Sequence, residues 1–148
     1  MIDRKHIGSE SPPRSVTAEA GRIRLFAKAI GETDPIYTDE AAAKAAGYRG
    51  ITAPPTFVHC LGTMDVADPF ARYKALGIDL GKVLHGEQHF EYHAPICAGD
   101  ELTYRAKISD IYEKKGGALE FLVTDTTVTN QNDELVAEIR GITVVRNG

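Results

Sequence analysis

Apolar side chains recur at helical spacing in residues 17–31, which predicts a first helix. The alanine-rich residues 38–47 predict a second, short helix, and each stretch ends at a glycine, which readily stops a helix. Thr17 is the predicted N-cap of the first helix, because its hydroxyl oxygen can accept from a free amide of the first turn. Residues 1–16 are predicted to be irregular, since two adjacent prolines stand among them.

A third apolar stretch, residues 55–67, has hydrophobic side chains nearly all round a helix, which are Phe57, Val58, Leu61, Met64 and Val66. This pattern predicts a helix that is buried on every side. Pro54 and Pro55 mark its entry. Proline is tolerated in a first turn because the amide hydrogen it lacks would be unpaired there.

From residue 83 onward the chain is rich in β-branched and aromatic residues, which favour strands. Turn signals divide it into four segments, residues 83–96, 101–114, 118–131 and 134–146. Their hairpin spacing predicts an antiparallel meander. Helices followed by strands, with one helix buried, favour an α+β fold in which a curved antiparallel sheet wraps around a long central helix.

Length, composition and charge narrow the possible functions. With 148 residues, the chain is expected to form one domain over residues 1–148. Its formal net charge of -4 argues against nucleic acid as a partner, because phosphate binding needs a basic face. No apolar run approaches the ~20 residues of a membrane span, no secretory signal is visible, and Cys60 and Cys97 are isolated. A cytoplasmic protein without membrane association is therefore expected.

The turn between the first two predicted helices concentrates polar chemistry. Its sequence, "IGETDPIY" (residues 30–37), holds Glu32 and Asp34, with Tyr37 at its far end. Carboxylates in a turn usually cap a neighbouring helix. Carboxylates beside a phenol are also residue types that perform acid–base catalysis, so both interpretations stay open.

A second polar stretch, "HGEQHFEYH", spaces His85, His89 and His93 four residues apart. On a strand, alternate residues share a face, which predicts a single row of these histidines with Glu87 and Glu91 between them. Neighbouring histidines of such a row lie about 13 Å apart, too far for one ion. No metal site is therefore predicted.

Two segments, "FAKAIGETDPIYTDEAAAKAAGYRGITAPPTF" and "LHGEQHFEYHAPICAGDELT", resemble the N-terminal domain family of MaoC-like acyl dehydratases. The similarity runs from about Ile7 to Val145. It implies a hot-dog fold and water addition to trans-2-enoyl thioesters of CoA or acyl carrier protein, or the reverse dehydration. It also implies a homodimer, or a heterodimer with a MaoC-like subunit, and no cofactor.

The hydratase motif of that superfamily runs glycine, aspartate, any residue, asparagine, proline, an aliphatic residue and histidine. Its aspartate and histidine are the acid–base pair. Here Glu32 stands at the aspartate, Asp34 at the asparagine and Tyr37 at the histidine. A phenol with a pKa near ~10 donates a proton but is a poor base at neutral pH. The resemblance thus implies either an enzyme with catalytic Glu32, Tyr37 and Asp34, or a non-catalytic acyl-binding subunit whose partner carries the intact pair.

Six residues are predicted to bind the substrate. The helix entry offers free amides and a positive dipole end, suited to a thioester oxygen that gains charge. The six are Pro54, Pro55, Thr56 and Phe57 at this entry, with His85 and Gly86 added by the resemblance. A hot-dog thioesterase is a weaker alternative, because such enzymes carry a carboxylate early in the central helix, and here the first acid is Asp65.

Overall fold

The computed structural model describes residues 1–147, which form a curved five-stranded antiparallel sheet with short helices. The strands are β1 (Arg14–Thr17), β2 (Val83–Tyr92), β3 (Glu101–Lys114), β4 (Leu119–Thr129) and β5 (Leu135–Arg146). The helices are α1 (Ala20–Ala29), α2 (Glu40–Ala45), α3 (Phe57–Leu61) and α4 (Ala71–Ala75), with 3₁₀ turns at Arg4–His6, Pro35–Tyr37 and Leu80–Lys82. None of the helices described is long and apolar enough to cross a membrane.

The strand order is β1-β3-β4-β5-β2, so the predicted four-strand meander is wrong at its first strand. β3, β4 and β5 follow one another as predicted, but β2 pairs with β5 at the far edge. A β2–β3 hairpin does not form because the intervening backbone bonds elsewhere: Ala53 N donates to Ile96 O (2.7 Å) and Ala98 N to Ile51 O (2.7 Å).

The free edge of β3 is covered by β1, which lies in a region predicted to be irregular. Residues 14–17 pair with residues 101–104 of β3, so the irregular prediction is wrong for the end of the lead-in. Thr17 is the last residue of this strand and does not cap α1, which begins at Ala20 with Glu19 in the N-cap position. The pairing of a four-residue strand depends on its distant partner, which local sequence does not reveal.

The central helix is buried as predicted but is much shorter. Phe57, Val58 and Leu61 are at most 1% exposed, and the helix ends at Leu61 instead of reaching residue 67. The guanidinium of Arg14, from β1, donates to the carbonyl oxygens of Gly62 (2.8 Å) and Met64. A longer helix would use the Gly62 carbonyl for its next turn, so this contact favours the early end.

Two hydrophobic clusters cover opposite ends of the concave face. The larger cluster surrounds α3 and includes Phe57, Leu61 and Ile139. The smaller one contains Ile2, Ile78, Ile108, Ile111, Leu122 and Val145. Because α3 is short, it packs on only one end of the sheet.

A β-bulge at Gly86 changes the direction of side chains along β2. His85 pairs with Thr143 and Glu87 with Ile142, so Gly86 has no opposite residue on β5. Thr143 and Ile142 are adjacent and point to opposite faces, and therefore His85 and Glu87 do so as well. The predicted single row is wrong for His85, which points to the concave face, whereas Glu87, His89 and Glu91 point outward.

Asp100 connects four separate segments. It is 1% exposed, and its carboxylate accepts from Arg49 Nη2 (2.9 Å), the Cys97 amide (2.8 Å) and Gln131 Nε2 (3.1 Å). Its carbonyl oxygen accepts from the Ala18 amide (2.8 Å). A buried carboxylate is tolerated when it is both paired and hydrogen-bonded in this way.

Asp100→Ala is expected to reduce the free energy of unfolding by roughly 3 kcal/mol, because it leaves the buried Cys97 amide without its acceptor and removes the ion pair with Arg49. Urea denaturation measures the change. Asp125→Ala is the matched control, since Asp125 also pairs with an arginine through two bonds but is 38% exposed. The Asp125→Ala protein should lose far less free energy of unfolding. Equal losses for the two variants would show that burial of Asp100 is not what matters.

Candidate functional site

A cavity of about 360 Å³ lies beside the start of α3. It is lined by Tyr37, Tyr48, Pro54, Pro55, Val58 and Tyr92, together with residues 93–96. Three of the residues predicted from the sequence, Tyr37, Pro54 and Pro55, therefore meet here. The volume is within the range of small-molecule sites, and phenols next to prolines and an aliphatic side chain suit a largely apolar ligand with one polar group.

The two carboxylates of the predicted motif cap turns. Glu32 Oε1 accepts from the amides of Thr33 (2.8 Å) and Asp34 (3.1 Å). Asp34 Oδ1 accepts from the amide of Ile36 (3.1 Å) and caps the 3₁₀ turn that carries Tyr37. Neither acid is among the residues that line the cavity. Their observed contacts are those of the capping interpretation.

Tyr37 is the motif residue that reaches the cavity, and it keeps its proton at neutral pH. Burial raises the pKa of its phenol, and the negative charges of Glu32 and Asp34 and the nearby Tyr48 raise it further. Both effects disfavour the phenolate. Tyr37 can therefore donate a hydrogen bond into the cavity, but it cannot serve as a base there.

The amides at the helix entry are already hydrogen-bonded. The Thr56 amide donates to the hydroxyl oxygen of Tyr92 (2.9 Å), and Thr56 itself has a left-handed backbone with φ of 59°. The Phe57 amide donates to the carbonyl oxygens of Pro54 and Pro55. Burial raises the pKa of Tyr92, so its hydroxyl stays protonated. Sequence reasoning missed Tyr92, which local spacing does not connect to the helix entry.

His85 and Gly86 are not among the residues that line this cavity. The His85 ring is 6.4 Å, centroid to centroid, from that of His59 on α3. Partial burial, and then the neighbouring His85, lower the pKa of His59, which favours its neutral form. A Cβ at Gly86 would lie 2.8 Å from the carbonyl oxygen of Ile142, so β5 requires a glycine here.

The convex face carries the remaining polar residues of the second stretch. His89 bonds to Glu87 (2.9 Å) and His93 to Glu138 (2.9 Å). Ligand atoms of Glu91, His93 and Glu138 lie within 4.8 Å of one another, but all three side chains are exposed. A concavity of about 640 Å³ on this face is larger than the one beside α3. The charged side chains of this concavity form ion pairs largely with one another, so the concavity is a poor binding site for an acyl chain.

Comparison with known proteins establishes the class of fold. A solved structure of C-terminally truncated HadBC, a 3R-hydroxyacyl-ACP dehydratase complex from Mycobacterium tuberculosis, matches with a TM-score of 0.78 and 28% identity, over 94% of this chain and 96% of that one. R-hydratase PhaJ1 from Pseudomonas aeruginosa matches in fold, with a TM-score of 0.70 and 16% identity over 96% and 83% of the two chains. The predicted hot-dog fold and the resemblance to MaoC-like dehydratases are confirmed.

The family model of the FAS1-like dehydratase domain region matches residues 5–139, and the chain belongs to this family. It is 39% identical to a UPF0336 protein of Saccharopolyspora erythraea over 147 residues, which cover 98% of this chain and 92% of that relative. It is 42% identical to a UPF0336 protein of Streptomyces avermitilis over 117 residues, or 78% and 77% of the two chains.

Gly86→Ala is expected to reduce the free energy of unfolding by about 1–3 kcal/mol, because the added methyl group would collide with β5. Gly21→Ala is the matched control: Gly21 lies in α1 with no atom near the added Cβ, and alanine favours a helix. Denaturant unfolding should show a loss for the first variant and no loss for the second. A Gly86→Ala protein as stable as the wild type would refute the close approach.

Proposed function

We propose that this protein is the acyl-binding subunit of a two-chain hydratase/dehydratase, a lyase of fatty acid metabolism. The complex would add or remove water across a trans-2-enoyl/3-hydroxyacyl thioester of CoA or acyl carrier protein. The observation that carries the proposal is Tyr37, a protonated phenol where the hydratase motif has its histidine. A cytoplasmic location and a single domain over residues 1–148 are part of the same proposal.

The cavity beside α3 has the chemistry that an acyl thioester needs. Pro54, Pro55 and Val58 supply apolar surface for the acyl chain, and the Tyr37 hydroxyl supplies a donor. The Thr56 amide now bonds to the Tyr92 hydroxyl and would bond to the thioester oxygen once that ring moves aside. These donors would hold the substrate and stabilise enolate charge as it builds.

The sheet leaves an edge at which a second chain can pair. Among the described strands β2 pairs with β5 alone, so its other edge has free amides and carbonyls. Leu84 and Tyr92, both on β2, are 46% exposed. We propose that a MaoC-like subunit with an intact aspartate–histidine pair adds its own strand here. The similar HadBC structure is likewise a complex of two chains.

A second candidate is an enzyme that acts alone, with Glu32 as the base. It is favoured by one observation: the Glu32 charge acts on Tyr37, so the two side chains share one electrostatic environment. The thioesterase alternative gains nothing from the structure, because α3 ends at Leu61, before the first acid of this segment.

The deciding experiment follows the loss of enone-thioester absorbance when purified protein is mixed with short- and medium-chain enoyl-CoAs. The protein alone should bind acyl-CoA without turnover, and turnover should appear with the partner subunit. Turnover by the isolated chain that Glu32→Gln abolishes would establish the second candidate and overturn the proposed role. Failure to bind any acyl-CoA, alone or with a partner, would overturn both.

Tyr37→His in the isolated protein is expected to raise enoyl-CoA hydration above the wild-type level, because it restores a base where the motif has one. The matched control is Tyr48→His, which places an imidazole on another wall of the same cavity. It should give no gain. The absorbance assay measures both. A folded Tyr37→His protein without any gain would contradict the alignment of this turn with the hydratase motif.

A further inference from the structure

A second cavity, of about 280 Å³, lies on the concave face beyond the end of α3. It separates the two hydrophobic clusters: Tyr104 and Ile139 of the larger and Leu122 of the smaller both line it. It shares no lining residue with the cavity that contains Tyr37. The early end of α3 at Leu61 leaves this part of the sheet without a helix over it.

The sheet beneath this second cavity is lined by small and hydroxyl-bearing residues. Thr124 and Thr126 of β4 and Gly141 and Thr143 of β5 occupy inward-facing positions, where a packed helix would favour larger apolar side chains. The Tyr73 hydroxyl, from the α4 side, lies 3.1 Å from Thr143 Oγ1. Hydroxyl groups therefore surround the space on two sides.

Arg72 of α4 brings a positive charge into the second cavity. No acidic residue lines the space, and among residues 1–147 no carboxylate lies within 4.0 Å of its guanidinium. Burial lowers the pKa of Arg72, which reflects a charge partly removed from water without a counter-ion. Charges in such positions are usually paired, so an external anion is the missing partner.

We propose that this second cavity binds the carboxylate group of a short amphiphilic acid, with the Arg72 guanidinium as its anchor. A guanidinium binds a carboxylate through two parallel hydrogen bonds, and the threonine hydroxyls supply further donors. The apolar walls, Leu122 and Ile139, contact the hydrocarbon body. A phosphate dianion fits less well, because the cavity offers a single guanidinium for its two negative charges.

Two sources provide this chemistry: a free short-chain fatty acid, or the distal carboxylate of a dicarboxylic acyl thioester. The free acid does not depend on the proposed dehydratase role, because the cavity is separate from the one that contains Tyr37. Hexanoate and adipoyl-CoA represent the two sources. Hexanamide and hexanoyl-CoA are their controls, since each lacks the carboxylate but keeps the hydrocarbon body.

Calorimetric titration of the purified full chain tests the proposal. Hexanoate should bind the wild type, Arg72→Gln should weaken its binding about tenfold or more, and hexanamide should bind weakly to both proteins. Lys74→Gln is the matched control: it removes the same charge from α4, but Lys74 pairs with Asp68 and does not line the cavity. It should bind hexanoate as the wild type does.

Comparing the affinities of adipoyl-CoA and hexanoyl-CoA shows whether the ligand is a free acid or a thioester. A thioester source gives tighter binding of adipoyl-CoA than of hexanoyl-CoA, and Arg72→Gln removes the difference; a free-acid source leaves the two esters alike. If Arg72→Gln fails to fold, Thr126→Val decides, with a severalfold loss of hexanoate affinity expected. The proposal is overturned if neither hexanoate nor adipoyl-CoA responds to these variants, or if hexanamide binds as tightly as hexanoate.

Discussion

The arrangement of this fold depends on the buried carboxylate of Asp100. It holds Arg49 from the loop before α3, the Cys97 amide from the segment after β2, and Gln131 from the turn between β4 and β5. The chain between β2 and β3 is thereby kept against residues 51–53 instead of forming a hairpin. That segment begins with residues 93–96, one wall of the cavity beside α3. A carboxylate outside the cavity thus determines its shape.

The short central helix divides the concave face into two regions. Arg14 binds the carbonyls that follow α3, and the apolar cluster around the helix stays at one end of the sheet. On the part of the sheet beyond the end of α3, small and hydroxyl-bearing residues stand where a longer helix would require apolar ones. The early end of the helix and the polar inner strands are therefore consistent with each other. The early end of α3 thus leaves room for the second cavity, which is separate from the one at the start of the helix.

The sequence predicted β2 to β5 and the pairing of β3, β4 and β5, but it missed β1 and the partner of β2. β-Branched and aromatic residues between turn signals located β2 to β5, but this content is the same whichever strand lies alongside, so the β2–β5 pairing was not visible. The early end of α3 depends on Arg14, 48 residues away from Gly62. The bulge depends on Ile142, which approaches Gly86 from β5. Capping by Glu32 and Asp34 was foreseeable because it is local, whereas the position of Tyr92 was not.

The surroundings of Tyr37 decide what this side chain can contribute to the cavity. Burial raises the pKa of Tyr37, and the negative charges of Glu32 and Asp34 raise it further, so the phenol keeps its proton. A protonated phenol is a neutral hydrogen-bond donor. Tyr37 therefore donates hydrogen bonds and does not accept a proton from water. Under the proposed function, the base that activates water must therefore come from the partner chain, and this subunit contributes donors and an apolar wall.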